Sequence, residues 1–224
     1  MRTTHIYLVR HTETDLPDGS KRFVGQADLP LSAEGVVQAH RLAERLGAIS
    51  FGAVYSSDLR RCMTTAQIIG EKSGVGAYGE GDLRIQPDPR LREIDTGLWE
   101  GLTFDEARVR YPAECAQRER DVVGFRFPGG ESFRDLRRRA MPSFLEIVGQ
   151  RGAKVLVVGH RGVNRILLCE ALGLPLDKMF SINQDYGSLS LIRAIVRSDG
   201  TRAWEVTMLP GLDSAPDPDP NEAS

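Results

Sequence analysis

Two dipeptides, Arg10-His11 and His160-Arg161, stand out in this 224-residue chain because each follows directly on a short apolar run. An imidazole can attack an electrophile or pass a proton, and a guanidinium presents forked N–H donors that match phosphate or carboxylate oxygens. The stretch SSDLRR, residues 56–61, sets Ser57 and Arg61 after a third apolar run, and LREIDTGLWEG, residues 91–101, carries the carboxylate of Glu93. Brought to one place, two histidines, at least two arginines and a glutamate form a cationic pocket suited to a phosphate. Taken singly, none of them demands this. A histidine at a strand end is commonly a structural hydrogen-bonding residue, and Glu93 has Arg90 and Arg92 beside it as partners for a surface salt bridge.

The elements that would gather these groups are legible as alternating periods. A strand is expected at about 5–9, then a glycine-bearing loop, then a helix opened by Ser32 with Val36, Ala39, Leu42, Ala43 and Leu46 at helical spacing. FGAVYSS reads as a short strand, followed by a helix at about 59–72 and a weak strand at 83–86. A helix around 103–111 is expected to end at Pro112, and another begins near 131–132 with Glu131 or Ser132 at its cap. AKVLVVGH is the clearest strand, since a continuous Val/Leu run fits burial on both faces; it leads into the helix of RILLCEALG, and strands near 188–196 and 203–208 close the pattern. Strand and helix alternate, so the expected fold is α/β with a mostly parallel sheet covered by helices. The segment at about 95–130 interrupts the alternation and is expected to form a small inserted cap, within one domain spanning residues 1–210. Residues 211–224, rich in Asp, Pro, Ser and Ala, are expected to be a disordered tail. In such a sheet ligands collect at the carboxyl ends of the strands, where all three polar groups stand.

Composition excludes several classes. A formal net charge of −2 provides no basic field for nucleic acid or an anionic membrane surface. No apolar stretch approaches the roughly 20 residues of a membrane span. The three cysteines, Cys62, Cys115 and Cys169, are scattered, without a C-x-x-C pair, which suits small core residues in a reducing compartment and offers no zinc pattern. A cytoplasmic protein is expected. GVGAYG at 74–79 imitates a dinucleotide motif but follows a helix and precedes none, and HTE at 11–13 lacks the P-C-x-x-C of zinc deaminases. RDLRRRA at 134–140 reads as a solvated helix face, with Asp135 and Arg139 four apart.

The ordered set LVRHTET, FVGQADLPLSAEGVVQA, YSSDLRRCMTTA, LREIDTGLWEGL, PGGESF and VVGHRGVNR resembles the histidine phosphatase superfamily, the phosphoglycerate-mutase-like clan, over about residues 5–195. The resemblance implies a three-layer α/β/α fold and a phosphohistidine mechanism with no cofactor and no metal. It makes His11 the nucleophile, Arg10 and Arg61 phosphate-binding arginines, His160 a second pocket histidine and Glu93 the acid/base group. Thr14 and Gln26 are candidate substrate-binding residues; Glu13 and Ser57 are second-rank candidates for the pocket wall, and Trp99 is expected to pack.

The pattern departs from the family in three places. Thr12 stands where Gly is frequent, Pro17 where an Asn often adds a phosphate donor, and Arg161 where a small residue is usual. Arg161 either replaces the lost phosphate contact or selects a second acidic group on the substrate. EIDTGLWEG resembles the phosphatase branch, whereas mutases usually carry an Arg-His-Tyr version of this stretch and a longer insertion with carboxylate-binding arginines. The expected function is a metal-independent phosphomonoesterase acting on a small phosphorylated metabolite. NQDYGSLSLI, residues 183–192, is similar to members assigned as α-ribazole or sugar-phosphate phosphatases. A phosphoglycerate mutase and a catalytically silent module that binds phosphorylated ligands are the alternatives, and a homodimer is left open because dimers and tetramers occur in the family.

Overall fold

The computed structural model describes residues 2–16, 19–73, 84–150 and 154–209. The GVGAYG stretch, Pro17 and the tail from Gly211 lie outside the described residues. Six strands form one sheet in the order β3-β2-β4-β1-β5-β6. They are β1 (Arg2–Arg10), β2 (Ala53–Ser56), β3 (Ile85–Pro87), β4 (Lys154–Gly159), β5 (Leu189–Val196) and β6 (Arg202–Leu209). β1, β2, β3 and β4 run parallel, while β5 is antiparallel to both of its neighbours, β1 and β6. The sheet is therefore mostly parallel in strand direction, but its β5 side closes by a hairpin, which needs no crossover helix.

Helices cover both faces. α1 (Ala33–Leu46) and α2 (Arg60–Lys72) pack on one side, where Leu42, Leu46 and Ile69 meet Val9, Val54 and Leu156. α5 (Phe133–Val148) and α6 (Arg161–Leu172) pack on the other, where Leu136, Phe144 and Ile166 meet Ile6, Leu8 and Val157. Alternate residues of β1 and β4 thus feed opposite cores, and both strands are buried on both faces. Ser32 caps α1 by accepting from the Gly35 N–H, as its position before the apolar period suggests. Of the two candidate caps for α5, Ser132 holds the position, in a capping box with Asp135.

The inserted segment holds two short helices, α3 (Phe104–Arg110) and α4 (Pro112–Arg120), where one was expected. Pro112 ends the first by lacking an N–H to continue it and starts the second at its first turn, where that N–H is not needed. The segment is not a detached flap: Trp99, Phe125 and Phe127 join the same core cluster as Ile6 and Leu8.

Candidate active site

Strand register assembles the site. Arg10 of β1 pairs with Gly159 of β4, and Ser56 of β2 with Val158, so His11, His160 and Ser57 leave three adjacent strands side by side. Backbone bonds extend this alignment past the strand ends: the His11 N–H donates to the Gly159 carbonyl at 3.0 Å and the Ser57 N–H to the Val158 carbonyl at 3.0 Å. The His11 and His160 rings lie edge to face with centroids 5.1 Å apart. Because β5 is antiparallel, its entry loop arrives at the same end. There the Arg10 Nη1 donates to the Gln184 carbonyl at 2.6 Å, and the Tyr186 ring centroid sits 3.9 Å from the Arg10 guanidinium.

The tautomer of His11 follows from its neighbour. Nδ1 lies 2.8 Å from the Thr12 carbonyl, which can only accept, so Nδ1 carries the hydrogen and Nε2 keeps its lone pair. Burial, then the charges of Arg61 and Arg10, hold the His11 imidazole well below its ordinary range, against the opposing pull of the Thr12 carbonyl; Arg161 adds to the lowering. His160, fully buried, is lowered too, by burial and then by Arg61. Both rings are consequently neutral at pH 7, and one of them presents a nucleophilic nitrogen.

Arg61 sits near the start of α2 and is 1% exposed. Its terminal nitrogens donate to the Ala27 and Gly25 carbonyls, each at 2.7 Å, which fixes the plane of the fork. Thr12 connects this arginine to the His11 loop: its hydroxyl lies 3.3 Å from that of Thr65, which donates to the Arg61 carbonyl at 2.8 Å. The hydroxyl at 12 therefore has a defined place between the His11 loop and α2.

Glu93 has neither of the salt-bridge partners its neighbours offered. Arg92 pairs with Asp58 through two bonds of 2.7 and 2.6 Å, and Arg90 pairs with Asp88 and Glu146. The Glu93 oxygens instead accept from the Ile94 N–H at 2.9 Å and the Gly162 N–H, in the first turn of α6, at 3.0 Å. A Cβ at 162 would lie 2.5 Å from Glu93 Oε1, so the glycine is what lets the carboxylate approach the helix.

A cavity of about 130 Å³ opens over this group. Arg10, His11, Arg61, Glu93, His160 and Arg161 all line it, and Thr14 lies on its wall. Gln26 does not line it: its side-chain amide donates to the Glu93 carbonyl at 3.3 Å. Glu13 turns away as well, accepting from the Ser32 hydroxyl at 2.7 Å.

Ser57, a second-rank candidate for the pocket wall, is not among the lining residues but bonds a histidine that is, and Cys62 and Arg139 take places in the site that the sequence did not assign them. The Ser57 hydroxyl lies 2.8 Å from His160 Nε2, and the Cys62 sulfur 3.3 Å from the same atom. Burial pushes the Cys62 thiol up to about 12, so it packs there as a neutral group, a core residue that also touches the site. Arg139 is not on a solvated face and does not bond Asp135. It forms a two-pronged pair with Glu131 and donates to the carbonyls of Arg90, Arg92 and Glu93 at 2.9, 3.0 and 3.2 Å. Glu131 also accepts from the Asp95 N–H at 3.1 Å, so the pair grips the loop on both sides of Glu93. The sequence offered Arg139 only its four-residue spacing from Asp135, which is not the partner it takes. No group of three or more His, Cys, Asp or Glu among the described residues could hold a metal ion, and no helix among them is long and apolar enough to cross a membrane.

Comparison with known proteins identifies the family and the fold. Residues 6–207 match the family model for the histidine phosphatase superfamily, branch 1. A Yersinia pestis protein named probable phosphoglycerate mutase GpmB is 38% identical over 173 residues, covering 76% of this chain and 75% of that protein. Among solved structures, a mycobacterial glucosyl-3-phosphoglycerate phosphatase superimposes with a TM-score of 0.78 at 30% identity, over 92% of this chain and 98% of that one. The α-ribazole phosphatase of Shigella flexneri does so with a TM-score of 0.77 at 25% identity, over 94% and 96%.

Proposed function

This chain belongs to the histidine phosphatase superfamily, and from that premise we propose that it is a phosphomonoesterase that works through a phosphohistidine, without a metal, on a small phosphorylated metabolite. The observation that carries the proposal is the Nδ1 bond of His11 to the Thr12 carbonyl, which leaves a neutral Nε2 facing a pocket of arginines. Nε2 attacks phosphorus and the bond to the ester oxygen breaks. Arg10, Arg61 and Arg161 balance the charge on the phosphoryl oxygens. Protonated Glu93 gives its proton to the departing alkoxide, then takes one from a water that attacks the phosphohistidine, releasing phosphate and restoring His11. The phosphatases among the structural relatives favour hydrolysis, and the substrates in their names, α-ribazole phosphate and glucosyl-3-phosphoglycerate, mark two kinds of candidate, one with an aromatic ring on its alcohol and one without.

A second reading, transfer of the phosphoryl group back to a substrate hydroxyl as in a phosphoglycerate mutase, is favoured by the name of the Yersinia relative. Rapid-quench labelling with a radioactive phosphomonoester in EDTA separates the outcomes. Acid-labile label on wild type and none on His11→Ala, followed by phosphate release, is the expected result. Label that leaves only when a phosphoglycerate is added indicates the mutase. Label in neither protein would leave a silent binding module.

A further inference from the structure

Beyond the phosphate pocket, the cavity changes character. Five phenylalanines, at 23, 104, 127, 133 and 180, line it together with Ile94 and Met179. They form paired ring surfaces, with Phe23 and Phe104 centroids 4.4 Å apart and Phe133 and Phe180 centroids 5.4 Å apart. Hydrogen-bond acceptors are sparse on these walls. Among the described lining residues Glu93 is the only carboxylate, and it is committed to acid/base work; no asparagine or glutamine lines the cavity, and hydroxyls come from Thr14, Thr96 and Tyr186. Lys21, Arg22 and Arg165 also line the cavity, and the Arg165 guanidinium lies 5.6 Å from the Phe180 ring centroid while its Nε donates to the Ile182 carbonyl.

We propose that the alcohol half of the substrate is apolar and carries a ring, so that the enzyme takes phosphomonoesters of aryl-bearing alcohols over those of polyols. This rests on the phosphatase reading of the same site. A polyol entering the cavity exchanges water for phenylalanine at each hydroxyl and finds few acceptors, whereas a ring buries its faces against rings and guanidinium planes. Discrimination of this kind is asymmetric, because a stripped hydroxyl without a partner costs more than a missing methylene.

The test compares 2-phenylethyl phosphate with glycerol 1-phosphate, both esters of primary alcohols, so that the leaving groups are of similar basicity. The expected kcat/KM ratio is roughly 10- to 100-fold in favour of the aryl ester, falling toward one in Phe104→Ser and Phe180→Ser. A ratio of one or below in the wild type, or one that both variants retain, overturns the proposal. Calorimetry with 3-phenylpropylphosphonate and 3,4-dihydroxybutylphosphonate repeats the comparison without turnover. Tighter binding of the aryl phosphonate with no hydrolysis of either ester would end the phosphatase reading and keep the substrate class. Equal binding with brisk hydrolysis would do the reverse.

Discussion

The atom opposite Gly162 is a carboxylate oxygen, and that proximity makes a residue with no side chain a sensitive probe of catalysis. A methyl group at 162 would displace Glu93 from the α6 N-terminus while leaving His11, Arg10 and Arg61 where they are. Gly162→Ala is therefore expected to lower kcat/KM for alkyl phosphates roughly 10- to 100-fold, because a displacement near 1 Å from a proton-transfer geometry can cost about that much. p-Nitrophenyl phosphate, whose leaving group departs without a proton, should be nearly spared. Steady-state kinetics on the two ester types check this, and an equal loss on both would mean that the substitution acts elsewhere. Arg161 is expected to behave differently. It lines the same cavity as His11, Arg10 and Arg61, and its charge adds to the lowering of the His11 imidazole. Arg161→Ala should raise KM for all monoesters by a similar factor, on the order of tenfold. A loss confined to substrates with a second acidic group would assign it to specificity instead.

Among the elements, the loop from Pro89 to Asp95 has little regular structure of its own, only a single 3-10 turn at Pro89–Leu91, yet it carries Glu93, the proposed acid/base group. Its order is imposed from α5 through Arg139 and from the turn before that helix through Glu131. If Arg139 positions Glu93 for the water-activating step, Arg139→Ala should slow breakdown of the phosphohistidine more than its formation. Rapid quench with p-nitrophenyl phosphate is expected to find several-fold more phosphoenzyme at steady state than in wild type, with Arg139→Lys intermediate. A variant that only unfolds would lose both steps together. This clamp also marks where sequence reasoning stops. Arg10, His11, Arg61, Glu93 and His160 could be placed because strand ends and ordered motifs constrain them locally. Arg139 could not, because its partners lie up to 50 residues away along the chain and helical spacing offered Asp135 as the nearer one. Gln26 shows the converse, a residue inside a recognisable motif whose side chain supports the loop from outside the cavity.

For the whole molecule, the alternation of strand and helix was enough to foresee a sheet covered by helices, and the run read as buried on both faces, β4, stands with β1 at the centre of that sheet. The reversal of β5 was not foreseeable in the same way, since strand direction depends on how the chain returns and not on which residues it buries. That central position has a thermodynamic consequence, because it buries two imidazoles among arginines. Both are held well below the ordinary histidine range in the folded protein, whereas the unfolded chain protonates them near about 6.5. As pH falls through that value the unfolded state gains protons that the native state refuses, so stability present above it is lost, at up to about 1.4 kcal/mol per pH unit for each histidine. Carboxylates held below their usual range, among them Asp88 and Asp135, the latter lowered to about 2, begin to lose their contribution only as pH falls through the ordinary carboxylate range, below the onset of the histidine loss. Urea unfolding at pH 7.5 and 5.5 is expected to give a clearly lower midpoint at the acid value for wild type and a nearly constant one for the double variant His11→Gln, His160→Gln. If the double variant keeps the full pH dependence, the active-site histidines are not its source, and the neutral nucleophile inferred from their surroundings loses its independent support.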